Sequence, residues 1–113
     1  MVENYEFGKI KIDGKEYGSD VLILKDGSVR EWRRIEGHKL AVKDIEALIK
    51  ERPQSIVIGT GEGGVMDVPR EVVKSVINKG IDMVVEKTPS AVQKYNDMLK
   101  EGVAVSAGLH LTC

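Results

Sequence analysis

The second half of the chain alternates strand-length apolar segments with single amphipathic helices, and this alternation limits the fold more than any other feature. The predicted strands cover Ile56 to Ile58, Ile81 to Val85 and Val103 to Thr112. The predicted helices between them cover Val68 to Lys79 and the segment from Thr88 to Gly102. Parallel strands need a long crossover connection, which is usually a helix and right-handed. The pattern therefore predicts a parallel βαβαβ unit.

The first third of the chain has the pattern of an antiparallel meander. Two Asp-Gly pairs, Asp13-Gly14 and Asp26-Gly27, supply the positive φ that tight hairpin turns require. They separate three predicted strands, Phe7 to Ile12, Tyr17 to Leu24 and Ser28 to Ile35. An apolar stripe then predicts a helix over Val42 to Arg52, with Asp67 as the predicted cap of the following helix.

Together these elements predict the fold class as α/β. We expect an N-terminal antiparallel β-meander joined to the parallel βαβαβ unit, with helices packed on the faces of a layered sheet. The 113 residues correspond to one domain, residues 1–113, and no linker, internal repeat or low-complexity segment divides them.

Charge and composition disfavour several classes of protein. Seventeen basic residues balance eighteen acidic ones without a basic cluster, so nucleic acid is not an expected partner. The apolar runs are far shorter than the roughly 18 residues of a membrane span, so no membrane association is expected. A single cysteine gives no sign of an oxidising compartment and predicts a cytoplasmic protein. The high charged content, 31%, with few amides, suggests a thermophilic source.

A glycine-rich segment, Gly59-Thr60-Gly61-Glu62-Gly63-Gly64, follows the first strand of the βαβαβ unit. It formally satisfies the G-x-G-x-x-G pattern of dinucleotide-binding proteins. In that fingerprint the third glycine lies in the opening helix, whereas here Val65 to Val68 precede Pro69. We therefore predict no cofactor. A structural turn is the favoured interpretation, and an anion-binding concavity of backbone N–H groups is the alternative.

The ends of parallel strands meet at one edge of a sheet, where ligands of open α/β sheets gather. This edge defines a candidate cleft of seven residues, Gly59, Thr60, Gly61, Gly64, Thr88, His110 and Cys113. Strand alternation predicts that His110 and Cys113 point to opposite faces, so we do not expect a catalytic pair. His38 is the only other histidine, and no zinc-type spacing exists locally, so we predict no metal site and no catalytic residue.

A second candidate region is Trp32-Arg33-Arg34, which follows the last strand of the meander. An aromatic beside arginines is a candidate site for a partner or a phosphate group. The commoner arrangement of such residues is an aromatic that packs inside beside arginines that form a solvated edge.

Several short motifs resemble one family of small domains across essentially the whole chain. The family is a conserved domain of unknown function first seen structurally in a methanogenic archaeon, and it includes an adipogenesis-associated protein and a mitochondrial complex I assembly factor. The matching motifs are Phe7-Gly8-Lys9-Ile10, Ile12-Asp13-Gly14-Lys15-Glu16-Tyr17, Ser19-Asp20-Val21, Ile56-Val57-Ile58-Gly59-Thr60-Gly61, Thr88 with Ala91-Val92 and Tyr95-Asn96, and Leu109-His110-Leu111-Thr112-Cys113.

The resemblance implies an α/β layered fold with a mixed sheet and implies no reaction, because the family has no established activity and its eukaryotic roles lie in assembly and regulation. The leading hypothesis is therefore a non-catalytic binding or assembly module with a protein partner. The alternative is a small-molecule or anion-binding domain, or an enzyme, that uses the loop from Gly59 to Gly64. Self-association into a homo-oligomer is a third hypothesis, because the outer strand of the meander has an unpaired edge.

Overall fold

The computed structural model describes residues 1–113, which form eight strands, three α-helices and one 3₁₀ turn over Val42–Ile45. The strands are β1 (Val2–Glu6), β2 (Lys9–Ile12), β3 (Lys15–Tyr17), β4 (Val21–Ile23), β5 (Val29–Glu31), β6 (Ser55–Thr60), β7 (Asp82–Glu86) and β8 (Val105–His110). The helices are α1 (Glu46–Lys50), α2 (Arg70–Ile77) and α3 (Thr88–Lys100). No helix combines the length and the apolar character that crossing a membrane requires.

The strands form two sheets. β1, β2 and β3 make a small antiparallel sheet, and the other five make a mixed sheet in the order β5-β4-β8-β6-β7. β6 runs parallel to both β7 and β8, which confirms the βαβαβ unit expected from the alternation of strands and helices. β4 runs antiparallel to β8 and joins the first half of the chain to that unit.

The predicted meander is wrong in one respect, because its strands belong to two different sheets. Both Asp-Gly hairpins form, with positive φ at Asp13, Gly14 and Gly27. The predicted single strand over Tyr17 to Leu24 is broken at residues 18–20, so its two parts lie in separate sheets. β1 was not predicted; only Val2 is buried in this mostly polar strand, so its hydrophobic pattern is weak.

The two faces of the five-stranded sheet bury separate hydrophobic clusters. Ile56 and Ile58 of β6 face α1, α2 and Trp32, whereas Val57 faces the other side. That other side is covered by α3 and by the apolar face of the small sheet. Because both faces are covered, every residue of β6 and β8 is buried, which explains the continuous apolar character of Ile56 to Ile58.

The segment predicted as a helix over Val42 to Arg52 begins as the 3₁₀ turn and continues as α1. Buried Asp44 organises this segment, because its carboxylate accepts hydrogen bonds from the N–H groups of Ile35, at 3.0 Å, and Ala41, at 2.8 Å. Its own carbonyl accepts the indole N–H of Trp32 at 2.9 Å.

The start of α2 differs from the prediction that Asp67 caps it. The residue before the helix is Pro69, whose extended backbone (φ −60°, ψ 151°) leads into Arg70. Asp67 instead pairs through its backbone with the segment before α1, donating its N–H to the carbonyl of His38 at 2.8 Å and accepting the N–H of Leu40 at 2.9 Å. Local sequence could not indicate this pairing, because the partner lies about thirty residues earlier in the chain.

Candidate functional site

The parallel register places the residues of the candidate cleft along one edge of the large sheet. Thr60 at the end of β6 lies opposite His110 at the end of β8, and Gly59 lies opposite Glu86 at the end of β7. Thr60 donates its hydroxyl to the carbonyl of Glu86 at 3.1 Å. Thr88 opens α3 directly after β7. The topology therefore brings the ends of β6, β7 and β8 together.

Within this edge the glycines are packed tightly. Gly61 donates its N–H to the Thr88 hydroxyl at 2.9 Å, and that hydroxyl donates to the carbonyl of His110 at 2.5 Å. A Cβ atom on Gly61 would lie 2.4 Å from the carbonyl oxygen of Thr112, and φ at this glycine is +107°. A Cβ on Gly59 would lie 2.8 Å from the Thr88 hydroxyl oxygen. Glycine is required here because two backbone segments approach each other closely.

Several N–H groups of the loop from Gly59 to Gly64 already donate hydrogen bonds within the chain. Glu62 donates its N–H to Thr112 at 3.3 Å, and Gly64, with φ +73°, donates to the carbonyl of Gly61 at 3.2 Å. The N–H of Met66 donates to Thr60 at 3.1 Å. These donors, with the Gly61 N–H, hold the loop against the rest of the edge, so an incoming anion would have to displace existing bonds.

A charged network lies on one side of this edge, where the half-buried Asp20 contacts the buried side chains of Arg34 and His110. One carboxylate oxygen accepts the N–H of Leu111 at 2.7 Å, and the other lies 2.8 Å from Arg34 Nη1 and 2.7 Å from His110 Nδ1. Burial opposes ionisation of Asp20, but the bonds from the Leu111 N–H, His110 and Arg34 outweigh it and hold the pKa of this carboxyl below its usual value. Asp20 therefore acts as a half-buried anion that joins the start of β4 to the end of β8.

The second feature of the edge is a cluster of His38, His110 and Cys113. One ligand atom from each side chain lies within 4.8 Å of the other two. His38 Nε2 is 3.2 Å from Cys113 Sγ, and the two imidazole rings meet edge to face with centroids 5.9 Å apart. The prediction that His110 and Cys113 point apart is wrong. β8 ends at His110 and Cys113 has φ +52°, so strand alternation does not extend to the cysteine.

The candidate partner surface at Trp32, Arg33 and Arg34 is not a continuous surface. Trp32 is 5% exposed and packs in the core, with its ring against Gly108. The Arg34 side chain is also 5% exposed; its guanidinium group stacks 4.6 Å from the centre of the Trp32 ring and pairs with Asp20. Only Arg33, whose side chain is 87% exposed, is accessible to a partner. The packing interpretation therefore holds for buried Trp32 and solvated Arg33, whereas Arg34 is buried and is not part of a solvated edge.

Asp20 and His38 were not among the predicted site residues. Asp20 occupies the position directly before the fully apolar β4, and an acid placed there is a signal that sequence reasoning could have used. His38 comes from an irregular segment and is 75 residues from Cys113, so no spacing rule connects the two. Only the fold brings them together.

The cavities of the structure lie elsewhere, and none is lined by a residue of the candidate cleft. The largest has a volume of about 480 Å³ and lies between α1 and the end of α2. We call it the helical groove, and its lining residues are Val42, Glu46, Ala47, Ile49, Lys50 and Lys79. A neighbouring hollow of about 280 Å³ shares three of these residues and adds Arg52 and Ile81.

Comparison with known proteins decides the family. A family model described as "Protein of unknown function (DUF498/DUF598)" matches residues 2–110. The chain belongs to the DUF498/DUF598 family. The similarity to a small domain of unknown function, expected from the sequence motifs, is therefore confirmed.

Solved structures agree with this membership in the DUF498/DUF598 family. The protein MT938 is 31% identical, with a TM-score of 0.87 over 100% of this chain and 98% of that chain. A conserved hypothetical protein from Pyrococcus horikoshii is 26% identical, also with a TM-score of 0.87, over 100% and 99% of the two chains. A Mth938-like domain from Bordetella pertussis shares the fold at 18% identity, with a TM-score of 0.74 over 98% and 85%. Because the family is described as one of unknown function, the function of this member has to be argued from its own geometry.

Proposed function

We propose that this DUF498/DUF598 domain is a non-catalytic binding module that docks an acidic, amphipathic segment of a partner protein in the helical groove. The observation that carries the proposal is an apolar floor bordered by unpaired cations. Val42, Ala47 and Ile49 supply the floor of the groove. An apolar groove beside a helix is the surface in which an amphipathic helix of a partner buries its apolar face.

The charges around the groove support an acidic occupant. Lys50 and Lys79 line the groove, and Arg52 lines the hollow next to it. None of the three forms an ion pair within the chain, and all three are exposed. Glu46 is the single carboxylate in the lining of the two cavities. Positive charge at the rim of an apolar site steers an acidic partner to it and selects against basic ones.

A non-catalytic role is supported by how the candidate cleft residues are used. Gly61, Thr88 and the carbonyl of His110 form one chain of hydrogen bonds that closes the edge of the sheet. The helical groove contains one carboxylate and two lysines, and it contains no pair of groups arranged for general acid–base or nucleophilic chemistry.

The alternative function, binding of a small anion by the loop from Gly59 to Gly64, has less support. Three of the loop's N–H groups, those of Gly61, Glu62 and Gly64, already donate within the chain. Anion sites built from backbone N–H groups need those donors free. The unpaired positive charges lie at the helical groove, away from this loop.

The test uses peptides of about 16 residues, long enough for four helical turns. A random phage library of such peptides is selected on the chain, and binding of the enriched peptides is measured by fluorescence anisotropy. We expect enriched peptides to carry acidic residues beside apolar ones at helical spacing, and to bind more weakly as salt rises. The Lys50→Glu/Lys79→Glu variant should lose at least tenfold in affinity, which is about 1.4 kcal/mol.

The matched control is Lys94→Glu/Lys100→Glu, which reverses two exposed lysines on α3, on the opposite side of the large sheet. This control should bind the same peptides with unchanged affinity. Peptides that bind the two double variants equally well, or an enriched set without acidic residues, would overturn the proposal. A rise in melting temperature with inorganic phosphate that persists in Lys50→Glu/Lys79→Glu would favour the anion-binding alternative at a different place.

A further inference from the structure

The cluster of His38, His110 and Cys113 has no part in the proposed docking function, and its donor atoms form a set that proteins use to bind metals. His38 precedes α1, whereas His110 ends β8 and Cys113 follows it. Two imidazole nitrogens and one sulfur, all within 4.8 Å of one another, are the ligand types of zinc sites. Proximity alone would be weak support, because side chains often meet without a ligand.

An independent observation is the buried, unpartnered ring nitrogen of His110. The His110 side chain is 6% exposed, and its Nε2 atom has no hydrogen-bond partner. Buried polar atoms in native proteins nearly always have a partner, so this nitrogen is available to bind a ligand. The other nitrogen, Nδ1, lies 2.7 Å from the Asp20 carboxylate.

The contact with Asp20 determines which nitrogen of His110 is free to bind a ligand. A carboxylate can only accept a hydrogen bond, so the contact at 2.7 Å places the imidazole proton on Nδ1 and leaves a lone pair on Nε2. Arg34 Nη2, 3.3 Å from the same Nδ1, then contributes only its charge, which is paired with Asp20. Carboxylate–histidine–metal arrangements fix the tautomer and the ring orientation in this manner.

We propose that His38, His110 and Cys113 bind one thiophilic divalent cation of the Zn²⁺ class, with a fourth coordination position open to solvent. Bond lengths of about 2.0 Å to nitrogen and 2.3 Å to sulfur place tetrahedral ligand atoms roughly 3.3–3.6 Å apart. The separation of His38 Nε2 and Cys113 Sγ, 3.2 Å, is close to this range, and the other pairs are within 4.8 Å.

The required contraction is at most about 1.5 Å, and the residues that have to move are the accessible ones. His38 is exposed and Cys113 is half-buried beyond the end of β8, whereas His110 is held by Asp20. The mixed sulfur and nitrogen donors favour Zn²⁺ over Mg²⁺ or Ca²⁺, which prefer oxygen. The bound metal would tie the segment before α1 to the end of the central strand.

The experiment uses the untagged chain, kept reduced and stripped of metal with a chelator that is then removed. Zn²⁺ is titrated in competition with a chromophoric chelator, and Co²⁺ is added to a second sample. We expect one metal per chain, tetrahedral d–d bands and a thiolate-to-cobalt charge-transfer band. His38→Ala and Cys113→Ser should each weaken binding at least tenfold, and Cys113→Ser should abolish the charge-transfer band.

Asp20→Asn tests the positioning role, with an expected loss of about 10–100-fold in metal affinity at unchanged stoichiometry. Asp97→Asn, an exposed carboxylate on α3, is the matched control and should bind normally. His38→Ala and Cys113→Ser leave the buried network intact, so they decide the question even if Asp20→Asn unfolds. Absence of binding by the wild type, binding unchanged in either variant, or alkylation of the thiol at equal rates with and without Zn²⁺ would overturn the proposal.

Discussion

Gly108 and Trp32 allow a sharp test of the packing on which the fold depends. A Cβ atom on Gly108 would lie 2.8 Å from Trp32 Cη2 and 3.0 Å from Cζ3. The ring cannot easily retreat, because its N–H is bound to the carbonyl of Asp44 and Arg34 stacks on it at 4.6 Å. Gly108→Ala therefore forces a backbone or side-chain shift in a closely packed interior.

Overpacking of a core by a methyl group costs about 1–3 kcal/mol, and we expect Gly108→Ala to fall in that range. For a domain of this size such a loss lowers the melting temperature by roughly 4–15 °C. In the background Trp32→Leu the clash is gone. The same alanine should then be neutral, or stabilising by about 0.4–1 kcal/mol, because it reduces the entropy of the unfolded chain. The two substitutions should therefore couple by more than about 1 kcal/mol.

The measurement is urea unfolding of the four proteins of the double-mutant cycle, followed by far-UV circular dichroism because Trp32 is the only tryptophan. Gly37→Ala is the matched control, since a Cβ at Gly37 meets no atom within 4 Å and its φ is not in the left-handed region. The reasoning is refuted if Gly108→Ala costs the same in both backgrounds, or if it is no more destabilising than Gly37→Ala.

Three further outcomes follow from the same structure. Asp20→Asn should cost about 3 kcal/mol at neutral pH by leaving Arg34 unpaired. The pKa of Asp20 is lower in the folded protein than in the unfolded chain. The stability that ionised Asp20 contributes is therefore fully present above the unfolded-state pKa and is lost as pH falls through the folded-state pKa. The urea midpoints of wild type and Asp20→Asn should then converge in acid. Gly61→Ala should cost at least about 2 kcal/mol, measured by thermal unfolding, from its φ of +107° and its contact with Thr112. Asp44→Ala, which removes two hydrogen bonds to backbone N–H groups, should cost about 2 kcal/mol in urea unfolding; a loss below about 0.5 kcal/mol would contradict its organising role.

The amino-acid sequence by itself determined the elements whose signals are local. The apolar run Ile56 to Ile58, the Asp-Gly hairpins and the amphipathic helices were all predicted, because hydrophobic periodicity and turn chemistry act over a few residues. The parallel arrangement of β6, β7 and β8 followed from the helices that separate them, since topology leaves few ways to connect such strands.

Only the tertiary structure decided which residues meet at the edge of the sheet. Asp20 and His110 are 90 residues apart, and His38 and Cys113 are 75 apart, so no local pattern encodes either contact. The break between β3 and β4 lies beside such a contact, in which the Asp20 carboxylate accepts the N–H of Leu111 after β8. Gly18, Ser19 and Asp20 have low strand propensity and permit the break, but the placement of β3 and β4 in different sheets rests on contacts that exist only in the folded chain.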